Sequence, residues 1–183
     1  MSGRPGSGKS VVAKSLARVL EVDHVSAGDF MREMASERGM TILELSRVAE
    51  EDDSIDFEID ERTARLADSG RSFVMDARLG WHFIPHSVKV FLDVRPEVAA
   101  ARVFGAGRTA EKENTDLQAT VKAIAERTQS ERERYIAYYG IDYLDPAHYD
   151  LVIDTSDLTP DEVVEEIVDH LRERGLVSDR GHG

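Results

Sequence analysis

The feature that most constrains this chain is a glycine-rich segment near its beginning. Residues 3–10 read Gly-Arg-Pro-Gly-Ser-Gly-Lys-Ser and fit the pattern G-x-x-x-x-G-K-[ST]. In that pattern the backbone curls until its N–H groups surround phosphate oxygens at the start of a helix. Lys9 then adds positive charge near the β- and γ-phosphates, and the Ser10 hydroxyl is suited to hold Mg²⁺. The segment therefore predicts a nucleotide site.

A glycine-rich loop that binds no nucleotide is the alternative interpretation. An amphipathic helix predicted directly after Lys9 counts against it. The apolar positions of that helix are Val12, Leu16, Val19 and Leu20. The residues expected to contact the nucleotide phosphates are Gly3, Arg4, Pro5, Gly6, Ser7, Gly8, Lys9, Ser10 and Val11.

The strand that should precede such a loop has little room. A buried strand of about five or six residues is typical, whereas only Met1 and Ser2 come before Gly3. In folds that contain such a loop, the strand before it lies in the middle of the sheet. Three explanations stay open: translation starts upstream, the chain is trimmed, or the sheet tolerates the gap.

Composition narrows the class of protein. The 183 residues are 41% hydrophobic, enough for one sizeable core, and include no cysteine for disulfides, thiol catalysis or metal binding. No run approaches about 18 apolar residues and no signal peptide is visible, so we expect a cytoplasmic protein, without membrane contact and monomeric. The net charge of −13 disfavours binding to nucleic acid. An acidic protein that binds polyphosphate must concentrate positive charge locally, which draws attention to its arginines.

Strands alternate with helices along the chain, which predicts an α/β fold with a parallel sheet and helices on both faces. The predicted strands lie at 23–26, 72–75, 88–94 and 151–154, and the helices after the first at 29–38, 55–66, 96–104, 117–139 and 160–171. The stretches 29–70 and 104–140 are long for simple crossovers. We interpret them as two insertions on one core.

Asp76 follows the predicted strand 72–75 and so lies at a carboxyl end, where ligands bind in such sheets. A carboxylate there holds Mg²⁺ directly or through water. An exposed loop aspartate is the alternative, but its position near the phosphate loop favours the metal.

Phosphoryl transfer needs positive charge around the phosphates. Arg127 and Arg134 are seven residues apart on the predicted long helix and share one face. Arg132 is five from Arg127 and points elsewhere, so we expect it to be solvated or structural. The other candidates are Arg32, Arg78, Arg102 and Arg108. Trp81 is suited either to stacking on a base or to core packing.

Taken together, these residues resemble the cytidylate kinase family, especially its shorter archaeal-type branch. That branch belongs to the nucleoside monophosphate kinases. The matching segments are 26–33, 37–40, 56–62, 76–81, 127–135, 139–142 and 149–156. The resemblance covers nearly the whole chain, and the segments 76–81 and 127–135 are more specific than the phosphate loop.

The resemblance implies a three-layer P-loop NTPase fold of the adenylate kinase-like type, formed by one domain over 1–183. It implies a monophosphate-binding insertion at 29–70, a lid at 104–140 and ATP adenine near 155–158. The implied reaction transfers the γ-phosphate of ATP, with Mg²⁺ on Ser10 and Asp76, to CMP or dCMP. The implied phosphate contacts are Arg32, Arg78, Arg127 and Arg134. Asp76 is implied as a further substrate-binding residue, Glu131 as an acceptor near the monophosphate nucleoside, and Arg102 as an ATP-binding residue.

The chain also departs from the family pattern. Ala77 stands where a glycine is commoner, and Leu79 where the longer bacterial branch has an aspartate that helps read cytosine. Two alternatives remain: a kinase for another small acceptor, and a nucleotide-binding regulatory protein without turnover. Lys9, Asp76 and the arginines argue against the second. The choice between CMP and dCMP, and tolerance of UMP, stay open.

Overall fold

The computed structural model describes residues 1–41, 44–45, 48–49, 52, 54–105 and 117–178. The strands are β1 (Ser2–Gly3), β2 (Asp23–Ser26), β3 (Phe73–Asp76), β4 (Val90–Asp93) and β5 (Leu151–Asp154). The helices are α1 (Lys9–Leu20), α2 (Ala27–Glu37), α3 (Ser54–Ala67), α4 (Gly80–Phe83), α5 (Pro96–Gly105), α6 (Leu117–Tyr139) and α7 (Pro160–Glu173). A 3₁₀ turn spans Pro146–His148.

The strands form a three-stranded and a two-stranded parallel sheet, and the first residue joins the two into one layer. β1 pairs with β4 and β4 with β5, while β2 pairs with β3, all in parallel. The amino nitrogen of Met1 donates to the Met75 carbonyl at 2.6 Å, and the Met1 carbonyl accepts from the Ala77 N–H at 3.2 Å. The order across the layer is therefore β2–β3–β1–β4–β5. The strand expected before the phosphate loop is present, shortened to two residues at the centre of the sheet.

The main core lies between the sheet and two helices. Val12 and Leu16 of α1 and Ile167 of α7 pack against strand residues such as Val74 and Leu92, and all five are buried. Apolar strands of this kind are typical of a parallel sheet covered by helices. This packing holds α1 in place. Because α1 directly follows the phosphate loop, the core also fixes the position of the end of that loop.

The sequence located most of these elements correctly. The bounds of β2, β5 and α6 match the expected ones, and most of the other elements differ by a few residues at their ends. At the start of α7, Thr159 and Glu162 form a capping box. Thr41 and Glu44 form the same reciprocal pair of hydrogen bonds.

Trp81 belongs to the protein core rather than to a base-stacking site. Its indole N–H donates to the Tyr149 hydroxyl at 3.1 Å, and its ring stacks on His148 with centroids 4.9 Å apart. Of the two interpretations of Trp81, core packing is the one the structure has.

The stretch 29–70 contains a small apolar cluster of its own. Met34, Leu45 and Ile55 are fully buried together. Of the stretch 104–140, residues 106–116, including Gly107 and Arg108, lie outside the described residues. Among the described helices, none is both long and apolar enough to cross a membrane.

Candidate active site

A large cavity lies between the carboxyl ends of the strands and the helices that follow them. Its volume is about 1030 Å³, and its lining comes from the phosphate loop, the end of β3, and α3, α5 and α6. This is the edge of a parallel sheet at which ligands bind.

The phosphate loop needs glycine at three of its positions, since a Cβ on Gly3 would lie 2.6 Å from the Leu92 carbonyl oxygen. Gly6 and Gly8 have φ of 79° and 83°, a backbone region that favours glycine. A Cβ on Gly6 would also lie 2.8 Å from the backbone of Ala99. Gly8 leads directly into α1 and lines the cavity, so the positive end of that helix lies at the cavity.

Lys9 and Asp76 form an ion pair at the base of this cavity. Their side chains are only 13% and 3% exposed. Burial alone would raise the pKa of Asp76, but the Lys9 ammonium and a hydrogen bond from Ser10 outweigh it and lower the pKa. Burial lowers the pKa of Lys9, and Asp76 offsets this only in part. The carboxylate at the end of β3 and the hydroxyl at the start of α1 therefore lie side by side.

These two oxygen donors suit Mg²⁺, which prefers oxygen ligands and usually keeps several waters or phosphate oxygens. The described residues contain no cluster of three or more His, Cys, Asp or Glu side chains suited to a metal. A cation at Ser10 and Asp76 would therefore take its remaining ligands from nucleotide and water.

A second charged group lies beside the first. Glu131 accepts hydrogen bonds from Arg78, with an Nη2–Oε1 distance of 3.0 Å, and from Arg127, with an Nε–Oε1 distance of 3.0 Å. The Tyr143 hydroxyl lies 3.4 Å from Glu131 Oε2. Burial opposes ionisation of Glu131, but the two arginines outweigh it and lower its pKa. The carboxylate of Glu131 thus holds two arginines at the cavity wall.

Arg134 lines the same cavity, as the seven-residue spacing predicted. Its Nε lies 3.7 Å from Asp56 Oδ2, and its guanidinium lies 5.6 Å from the centre of the Tyr135 ring. Arg132 is bound instead to Asp142, with an Nη2–Oδ2 distance of 2.6 Å, and has the structural role expected of it. The face of α6 with Arg127 and Arg134 is the face toward the cavity.

Arg32 is not brought into the cavity. Its guanidinium pairs with Asp29 on the same helix, its side chain is 56% exposed, and it is absent from the described cavity lining. Gly28, on the cavity rim, lies next to the Arg32 guanidinium.

Arg102 connects helix α5 to the loop that follows β5. Its guanidinium donates to the carbonyl of Thr155 at 2.6 Å and to that of Leu158 at 3.4 Å. The Thr155 hydroxyl in turn donates to the Ser7 carbonyl at 3.1 Å. Arg4 pairs with Asp93 at 2.7 Å. The loop 155–158 and the phosphate loop are thus joined into one wall.

Sequence reasoning missed one pair in the cavity. Asp60 of α3 accepts a hydrogen bond from the hydroxyl of Tyr139 on α6. Burial, together with the nearby charge of Asp56, raises the pKa of Asp60 to about 6, although the Tyr139 hydrogen bond opposes the shift. The four-residue spacing of Asp56 and Asp60 was the available signal, since it places both carboxylates on one helix face.

Known proteins similar in sequence to this chain include several cytidylate kinases. A profile of the family described as "Cytidylate kinase-like family" matches residues 1–157. A cytidylate kinase of Sulfurisphaera tokodaii is 37% identical, over 89% of this chain and 88% of its own. A cytidylate kinase of Natronomonas pharaonis is 41% identical, over 89% and 83%. An S-adenosylmethionine-dependent nucleotide dehydratase of Lacinutrix mariniflava is 38% identical over 97% of this chain but only 36% of its own.

Solved structures with a similar fold are more distant in sequence. An uncharacterized protein from Eubacterium ventriosum has a TM-score of 0.70 at 19% identity, covering 94% of this chain and 96% of its own. A shikimate kinase from Bacteroides thetaiotaomicron has a TM-score of 0.64 at 18% identity, covering 96% of both chains. At this identity the likeness concerns the fold alone, and that fold is the P-loop kinase fold with a parallel sheet.

Proposed function

The chain belongs to the cytidylate kinase-like family, and we propose that it transfers the γ-phosphate of ATP to CMP or dCMP, giving CDP or dCDP. The observation that carries the proposal is the meeting of two charged groups in one cavity. The phosphate loop with Lys9 and Asp76 supplies a site for the donor, and Arg78 and Arg127 around Glu131 supply one for the acceptor.

In the proposed reaction an oxygen of the acceptor phosphate attacks the γ-phosphorus, and the bond to the β–γ bridging oxygen breaks so that ADP leaves. The protein contributes positioning and charge, because the transferring group needs little covalent help. Lys9 would oppose negative charge on the β- and γ-phosphates of bound ATP. Arg127 and Arg134 contact the transferring phosphoryl group, and Arg78 the acceptor phosphate.

Ser10 and Asp76 would hold Mg²⁺, which neutralises phosphate charge when bound with ATP. Both oxygens already lie together at the start of α1. Arg102 would shape the ATP site through the loop 155–158, whose carbonyls it binds. The backbone of residues 3–11 would contact the ATP phosphates.

Glu131 has a positioning role in this proposal. It holds Arg78 and Arg127 in the cavity wall before the acceptor arrives. An acceptor phosphate offers the arginines a second anionic partner at the same place, next to Glu131. Arg32 would join them once its exposed pair with Asp29 opens, since such pairs are weak.

We assign 29–70 to acceptor binding, because its small apolar cluster positions α3 beside the cavity. We assign 104–140 to a lid, because α6 carries Arg127, Glu131 and Arg134 along one side of the cavity. We also propose that the protein acts as a cytoplasmic monomer.

The test is an acceptor screen with ATP and Mg²⁺, using CMP, dCMP, UMP, AMP, GMP and shikimate. We expect CMP or dCMP to give the highest kcat/KM. A purine nucleotide or shikimate in first place would overturn the acceptor assignment and leave the kinase assignment standing. ATP binding without turnover on any acceptor would instead support the regulatory alternative.

A further inference from the structure

We infer that Asp60 reads the acceptor base, its carboxylate accepting a hydrogen bond from the exocyclic amino group of cytosine. The inference rests on the proposed function and adds a specificity-determining residue to it. Asp60 lies on α3, whereas the charged groups that would hold the phosphates lie on the phosphate loop, at and just after the end of β3, and on α6.

The position of Asp60 suits the base of a bound monophosphate. Its carboxylate binds the hydroxyl of Tyr139, which lies eight residues beyond Glu131 on α6. Eight residues correspond to about 12 Å along a helix. That separation is on the scale of one nucleoside monophosphate, with its phosphate at the Arg78–Glu131 pair and its base at Asp60.

The chemistry of Asp60 suits an amino group. Within the described part of the chain Asp60 makes no salt bridge, and its one hydrogen-bond partner, Tyr139, occupies Oδ2. Oδ1 therefore remains for a ligand donor. A carboxylate is the usual acceptor for the N4 amino group of cytosine. Uracil presents a carbonyl oxygen at the position of that amino group. This oxygen and the Asp60 carboxylate are both hydrogen-bond acceptors, so uracil would be disfavoured.

The surroundings of Asp60 suit a planar ring. Ile59, Phe83 and Tyr139 line the same cavity, and the Phe83 and Tyr139 rings meet edge to face with centroids 5.9 Å apart. Leu79 cannot supply the polar contact, because it is buried and apolar and packs with Phe91 and Tyr143. Asp60 on α3 supplies in its place a polar group that can tell cytosine from uracil.

The decisive measurement is kcat/KM for CMP and for UMP in the unmodified protein, in Asp60→Asn and in Glu61→Gln. An asparagine amide can turn either its oxygen or its NH₂ toward the base, so Asp60→Asn should lower the CMP/UMP ratio by about tenfold or more. Glu61 is the matched control, since it is exposed on the same helix, pairs with Arg65 and is absent from the described cavity lining. Its variant should keep the ratio of the unmodified protein.

A CMP/UMP ratio in Asp60→Asn within about twofold of that in the unmodified protein would overturn the inference. So would an unmodified protein that uses CMP and UMP equally well. Both outcomes leave the kinase assignment intact. Failure of the unmodified protein to use either CMP or dCMP would instead overturn the proposed function. If Asp60→Asn folds without turnover, the ratio of CMP and UMP dissociation constants decides. If Asp60→Asn does not fold, Tyr139→Phe replaces it. This variant removes the hydroxyl that holds the Asp60 carboxylate, so the CMP/UMP ratio should fall. An unchanged ratio would overturn the inference.

Discussion

Lys9 and Asp76 form an almost completely buried ion pair that ties the phosphate loop to the end of β3. Neither charge has another full counter-charge bound to it among the described ion pairs, so each depends on its partner. A buried pair of this kind is strongly destabilised when one member is removed. Lys9 therefore has two roles, one in the proposed chemistry and one in holding the sheet edge.

The first prediction is that Lys9→Ala loses phosphoryl transfer by at least about 100-fold, comparable to loss of one preorganised electrostatic donor. The variant should also lose about 3 kcal/mol of stability, because Asp76 is left buried without its partner. Steady-state turnover and denaturant unfolding measure the two effects. The double variant Lys9→Ala/Asp76→Asn should recover stability but not turnover. Near-normal turnover by folded Lys9→Ala would contradict the assignment.

The second prediction concerns pH. The pKa of Asp60 is raised from 3.8 to about 6 in the folded protein, so the folded state binds a proton that the unfolded state releases over that range. Stability contributed by the protonated carboxyl is therefore present below about pH 4 and lost as pH rises through about 6. Asp60→Asn should be more stable than the unmodified protein at pH 8. The ceiling is about 3 kcal/mol, and the gain should be smaller because the carboxyl is only half-buried.

Thermal unfolding at pH 4 and at pH 8 checks this second prediction. The gain from Asp60→Asn should shrink toward zero at the lower pH, where both side chains are uncharged. Glu61→Gln is again the control and should show no comparable gain. A gain in Asp60→Asn that is the same at both pH values would show that ionisation of Asp60 is not its cause.

Much of the proposed site could be predicted because its signals are local. The phosphate loop needs eight consecutive residues, and the positions of Gly3, Gly8 and Lys9 follow from that pattern. Asp76 was located because the end of a parallel strand is a known ligand position. Arg127 and Arg134 needed only helical periodicity. Each of these inferences uses residues that are close together along the chain.

The remainder depends on contacts between distant segments. Asp60 and Tyr139 are 79 residues apart, and neither lies in a pattern that specifies its partner. Arg32 was expected in the cavity as a candidate arginine and by resemblance, whereas its ion pair with Asp29 on the same helix holds it at the surface. The four-residue helix α4 and the two-residue strand β1 are too short for hydrophobic periodicity to show.

The third prediction is that Arg102→Ala raises KM for ATP by about tenfold with a smaller change in kcat. Arg102 binds the carbonyls of Thr155 and Leu158, and hydrogen bonds to a charged group contribute about 1.5–3 kcal/mol each. Without it the loop beside the phosphate loop loses its anchor. Arg95→Ala is the control, because Arg95 reaches the same loop through an exposed pair with Asp157. Equal effects of the two variants would contradict the prediction.

The last prediction separates a moving lid from a rigid ATP site. Arg127 is 57% exposed and Glu131 only 13%, so the arginine reaches inward from the cavity rim to its partner. If α6 closes over both nucleotides, Arg127 meets the transferring phosphate only in the closed state, when water is excluded. Arg127→Ala should then lower single-turnover transfer by at least about 100-fold while ATP affinity without acceptor changes about threefold or less.

Arg132→Ala is the matched control for that comparison. Arg132 lies on the same helix but binds Asp142 and is absent from the described cavity lining. Its loss should leave both quantities near those of the unmodified protein, since a half-exposed ion pair contributes at most about 1 kcal/mol. Equal losses of transfer and of ATP affinity in Arg127→Ala would place Arg127 in a rigid ATP site. The lid assignment of 104–140 would then have to be abandoned, because Arg127 would already contact ATP before the acceptor binds.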